Sequence, residues 1–168
     1  MISSEDSPPQ QNETWFHHST NLSLTYTDHL SSIEAYPNHW NRSISVTFIY
    51  SSTKQFTHQL AYSINNAFNQ FLSINFTNDK PYKIHQYYRN TTDSSQIVGL
   101  NITLGENSYI IGQYDKLMYS SIAPAKYNLG FVSTKLTNLN SIEKFRFVWY
   151  RKCSTKIHVI NCLPFKEI

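Results

Sequence analysis

Glycine is scarce in this 168-residue chain, with four in all, and there are only two methionines and two cysteines. The glycines stand at positions 99, 105, 112 and 130, and that spacing forms neither a phosphate-cradling loop nor a dinucleotide fingerprint. The sequence has no Gly-x-Ser-x-Gly elbow for a serine hydrolase and no His-Glu-x-x-His pair for a helical zinc site. Its eleven carboxylates are scattered, and only Glu5 and Asp6 adjoin, near the start of the chain. No pair is therefore set up in sequence for acid–base work. Charge is low at 15%, against 40% hydrophobic and 15% aromatic residues, which is the reverse of the balance in a disordered chain. No run of eighteen apolar residues provides a transmembrane helix, and the opening MISSEDSPPQQNET lacks the basic-then-apolar plan of a signal peptide. No catalytic signature remains, so the expectation is a protein that is not an enzyme, with no cofactor and no metal.

Asn, Ser, Thr, Tyr, Phe and Ile are plentiful, a palette that favours strands joined by polar loops. The formal charge of +3 falls short of the concentrated basicity of a dedicated nucleic-acid binder. Six Asn-x-Ser/Thr acceptors occur, at Asn12, Asn21, Asn41, Asn75, Asn90 and Asn101, a mild excess over chance. With an even pair of cysteines they point to the mature form of a secreted or extracellular glycoprotein, without its signal peptide. Seven histidines are dispersed apart from the adjacent His17 and His18, and they read as surface or hydrogen-bonded structural residues.

Residues 1–14 read as a disordered N-terminal segment and 15–168 as a single globular domain. The stretches NLSLTYT and RSISVTFIY alternate as strands, the second with Ile44, Val46, Phe48 and Tyr50 on one face. Ser52 and Gln55 fit a capping box, and Phe56, Leu60, Ile64, Phe68 and Phe71 or Leu72 recur at spacings of three and four, so an amphipathic helix is expected over 53–72. From there SINFT, YKIHQYY, QIVGLNITL, SYIIGQY, KLMYSSI and FVSTKLT read as strands, with a hairpin turn at Gly105-Glu106-Asn107. The fold class expected is α+β: a mainly antiparallel sheet of about eight strands with one helix packed on it.

The run WNRSISVTFIY, followed by AFNQF, INFT and VGLNITL, resembles the upper half of a zincin metalloprotease domain over about residues 40–104. The resemblance implies a strand–helix–strand start. It carries over no catalytic residue, because nothing after residue 104 supplies the zinc-binding motif.

In KFRFVWYRKC the alternation places Phe145, Phe147 and Trp149 on a core face and Lys144, Arg146, Val148, Tyr150 and Lys152 on the other. Arg146, Tyr150, Lys152 and Lys156 are the expected binding residues, on a surface for an extracellular protein or an anionic glycan, because Arg and Tyr are enriched at interfaces. A carrier of a small hydrophobic ligand is an alternative, as is a divergent zincin-like domain. Cys153 and Cys162 are expected to form a disulfide across a bend, since KIHVI between them lacks turn residues. Closing that loop would restrict the unfolded chain by about 2.7 kcal/mol.

Overall fold

A computed structural model describes residues 15–40, 42–61, 70–76, 81–90, 95–123, 127–137, 141–151 and 166–167. In chain order these form β1 (Trp15–His17), α1 (His18–Asn21), β2 (Leu30–Asn38), β3 (Ser43–Tyr50), β4 (Gln55–Ala61), β5 (Leu72–Asn75) and β6 (Pro81–Asn90). There follow β7 (Ser95–Leu104), β8 (Asn107–Gly112), β9 (Met118–Ile122), β10 (Tyr127–Leu136), β11 (Ile142–Arg151) and β12 (Lys166–Glu167). The strands make three four-stranded sheets, antiparallel throughout: sheet A, β1-β10-β11-β12; sheet B, β4-β3-β2-β5; and sheet C, β8-β7-β6-β9. Each turns one face to a common core that joins Ile33, Val46 and Phe48 of sheet B to Ile84, Leu100 and Ile102 of sheet C and Phe145, Phe147 and Trp149 of sheet A.

This corrects the α+β expectation. The described helix content is a single turn at His18–Asn21. All seven residues of β4, Gln55–Ala61, lie inside the span expected as a helix. The reason is arithmetic. A spacing of four is a multiple of two, so Phe56 and Leu60 share one face of a strand as readily as one face of a helix. The decisive position is His58, buried between them on the same face, which a helical reading assigns to the polar side. The supposed capping box is a tight turn instead, with Tyr50 N–H donating to Lys54 O at 2.8 Å and Thr53 at φ 65°. Residues 62–69 of the expected helix lie outside the described residues. With strand in place of helix, and β3 and β7 in different sheets, the zincin resemblance loses its support. The carrier reading likewise loses the helix that would have bounded its cavity. NLSLTYT is also not a strand: it holds the end of α1 and the turns after it, with Leu22 and Leu24 packed on the core.

Three side-chain links lock the sheets together. Gln86 of β6 donates from Nε2 to Phe145 O and accepts the Phe145 N–H at Oε1, both at 2.7 Å. It thereby serves as strand neighbour to a stretch of β11 that β12, paired at Val148 and Trp149, does not reach. Trp149 Nε1–H donates to Ser121 Oγ of β9 at 2.8 Å. Val132 N–H of β10 donates to the Tyr50 hydroxyl of β3 at 3.3 Å.

Sheet C needs its chain to pass from the β8 edge to the opposite β9 edge. Residues 113–117 make that crossing, with Gln113 N–H on Val98 O at 2.9 Å and Tyr88 N–H on Leu117 O at 3.1 Å. The crossing backbone runs so close to β7 that a Cβ on Gly99 would lie 2.2 Å from Gln113 O.

Candidate functional site

The alternation expected in β11 holds. Phe145, Phe147 and Trp149 are buried, whereas Lys144, Arg146 and Tyr150 are half-exposed on the outer face of sheet A. Val148, expected outside, is covered. Register places Lys135 beside Lys144 and Ser133 beside Arg146, and β1 adds Trp15 and His17 next to Lys135 and Ser133. Lys152, Lys156, Cys153 and Cys162 lie outside the described residues, as do Asn12 and Asn41.

Two cations on this face are mounted on aromatic rings. The Arg146 guanidinium sits 4.0 Å over the Trp15 ring, and Lys144 Nζ sits 4.6 Å over Tyr119 of β9. Tyr119 is stacked in turn on Tyr88, with centroids 4.4 Å apart and planes 13° from parallel. Burial, with Tyr88 and Glu143 adding, pushes the Tyr119 phenol up. Such stacking holds a flexible cationic stem extended along the sheet face. Nearby, Lys135 is paired with Glu143 at 3.0 Å, and His17 Nδ1 shares a proton with Ser133 Oγ at 2.8 Å.

Between β9 and β11 lies an open groove of about 500 Å³. Gln86 and the Phe145 segment line it, with Met118, Tyr119, Ser120 and Ser121 on one side and Lys144 and Arg146 on the other. Hydroxyls, cations and an aromatic ring therefore converge on one concavity. Tyr150 stands apart from it: its ring packs beside Gly130, and burial pushes its phenol up. Of the four expected binding residues, the structure brings Arg146 to the groove and leaves Tyr150 out. Sequence reasoning missed Tyr119, Gln86 and Trp15. KLMYSSI was legible as a strand, but no local signal says which edge it faces.

Among the described residues no three His, Cys, Asp or Glu side chains cluster as a metal site would require, and no helix is long and apolar enough to cross a membrane. Of the described acceptor asparagines, Asn21, Asn75 and Asn90 are exposed. Asn101 lies partly buried in β7, its Nδ2 3.4 Å from the Tyr87 hydroxyl and its Oδ1 buried. If the chain is glycosylated, glycopeptide mass spectrometry should find sugar at the first three and little or none at Asn101. Full occupancy there would contradict the packing.

Three sheets around one core, closed by antiparallel strands, have solved counterparts. The fold is similar to that of the jacalin-related lectins. Calystegia sepium agglutinin matches at a TM-score of 0.56, with 10% identity over 83% of this chain and 90% of that one. Jacalin in complex with mellibiose, Gal-alpha(1-6)-Glc, matches at 0.55 and 11% identity, over 80% of this chain and 97% of that one. AcmJRL, a mannose binding jacalin related lectin from Ananas comosus, matches at 0.51 and 13% identity, over 74% and 83%. No protein-family model matches the sequence, and comparison with curated proteins finds no relative. At these identities the likeness is one of fold. These counterparts are lectins, in keeping with a sequence that carries no catalytic motif.

Proposed function

We propose that this chain is a carbohydrate-binding module of lectin type, acting outside the cell, that takes an anionic glycan in the groove between β9 and β11. The observation that carries the reading is the pair of ring-mounted cations, Lys144 on Tyr119 and Arg146 on Trp15, at the rim of a hydroxyl-bearing concavity. A sulfate or carboxylate on a sugar offers acceptors for both cations, and charge-assisted bonds of this kind are about twice as strong as neutral ones. Ser120 supplies hydroxyl contacts of the sort sugar rings need, and Met118 an apolar one. The shared lectin fold supports carbohydrate as the ligand class over an acidic protein, and the acceptor asparagines support the extracellular setting.

The test is a titration of the protein with a heparin-derived octasaccharide. Lys144→Ala and Arg146→Ala should each weaken binding at least about tenfold, the worth of one hydrogen bond to a charged group, and flatten its dependence on salt. Unchanged affinity in both variants rejects this groove.

A further inference from the structure

Where sheets A and B meet, four buried polar side chains form a chain of hydrogen bonds that closes with both imidazoles neutral. Val132 N–H donates to the Tyr50 oxygen at 3.3 Å, so the Tyr50 hydroxyl proton is free to go to Nδ1 of His18, 2.8 Å away. Nδ1 is then the accepting nitrogen of His18, and its Nε2–H donates to Nε2 of His58 at 2.8 Å. The same His58 nitrogen accepts the Thr134 hydroxyl proton at 2.9 Å. The bond between the two Nε2 atoms needs one N–H and one bare nitrogen, so at least one imidazole must be neutral. Protonating both would set N–H against N–H across that 2.8 Å contact.

The surroundings offer no compensation for added charge. Phe16 of β1, Phe48 of β3, Phe56 of β4 and Phe145 of β11 pack on the two rings, and β10 contributes Thr134 and, through Tyr50, the Val132 amide. Among the described residues, Tyr50 is the one other titratable side chain bonded to or stacked on the pair, and burial pushes its phenol up. Burial, with His58 adding, lowers His18 to about 3, and burial alone lowers His58 to about 4.

His18 opens α1, directly after β1, and β1 is held to β10 by three register pairs. That short strand also supplies Trp15, the ring beneath Arg146. We propose that this hydrogen-bonded chain is an acid-sensitive latch: protonation of its imidazoles releases β1 and α1 from the sheets and lifts Trp15 off Arg146, which undoes one ring-mounted cation and weakens the groove's hold on anions in acid. The release stands by itself, whereas its effect on the groove rests on the function proposed above. The closed state binds a proton more weakly than a free imidazole of pKa about 6.5, so falling pH favours opening, by about thirtyfold per freed imidazole at about pH 5.

Hydrogen exchange of the full chain at about pH 7 and about pH 5, corrected for intrinsic rates, tests the latch. Amides of residues 16–22 should lose protection at least about tenfold relative to those of β7, and a constant ratio between the two regions overturns the proposal. A His18→Phe, His58→Leu double variant, which keeps the site filled, should exchange without the acid step. If that variant folds and the step persists, the latch is overturned; if it does not fold, the wild-type profile decides. Octasaccharide affinity that falls in acid for the wild type alone supports the link to the groove. Release without such a fall overturns that link, and no octasaccharide binding at either pH overturns the glycan reading and leaves the latch standing.

Discussion

Replacing Gln86 with leucine should lower the stability of the protein by about 2–5 kcal/mol, read as the shift of a denaturant midpoint at unchanged slope. Leucine fills a similar volume, so the loss is not one of packing. Gln86 is buried, and both ends of its amide bond the Phe145 backbone at 2.7 Å. Leucine would leave a buried N–H and a buried C=O without partners, and each such group costs about 1–3 kcal/mol. The loss should also loosen the β9–β11 groove, which Gln86 and Phe145 line. A change below about 0.5 kcal/mol, the ordinary surface value, would mean that the clasp does not join sheets A and C.

The second large effect is expected at Gly99. Its absent Cβ leaves room for the crossing segment: the added carbon of Gly99→Ala would meet Gln113 O at 2.2 Å and Gln113 N at 2.8 Å, both backbone atoms fixed by the bond to Val98. Neither can swing aside as a side-chain tip could, so β8, the crossing or β7 must shift. We expect about 3 kcal/mol or more, at the upper end of overpacking costs. Gly105→Ala is the internal control. Gly105, unlike Gly99, has a positive φ, 54°, but nothing lies within 4 Å of its Cβ position, so only the left-handed backbone penalty of about 1–2 kcal/mol applies. Equal losses at the two sites would sink the steric argument.

Strands with clean alternation and no competing period were readable from the sequence. In β3, Ile44, Val46, Phe48 and Tyr50 are all buried as their period of two demands, and in β11 the aromatic and cationic faces separate as expected. The turn at Gly105 was legible because asparagine and glycine cluster between two apolar runs. β4 failed because its apolar spacing of four satisfies two periods at once, and choosing between them takes a partner strand. That partner is β3, which pairs with β4 from Ser43↔Ala61 to Ile49↔Gln55. β2 has no clean local signal, since LSSIEAYPN mixes Ser, Glu and Pro with its inward Ile33 and Ala35.

The sequence by itself determined that the chain is β-rich, which residues of β3 and β11 face inward, and that one strand presents cations outward. Those are local properties, set by backbone alternation and side-chain polarity within a few residues. Tertiary structure alone decided that there are three sheets and which edges meet. It also decided that Tyr119 and Trp15 lie beneath Lys144 and Arg146, and that His18 and His58, forty residues apart, share a proton. Pairings of that kind depend on how far-separated segments close around one core. A periodicity of two says which way a side chain points, but not what will be waiting there.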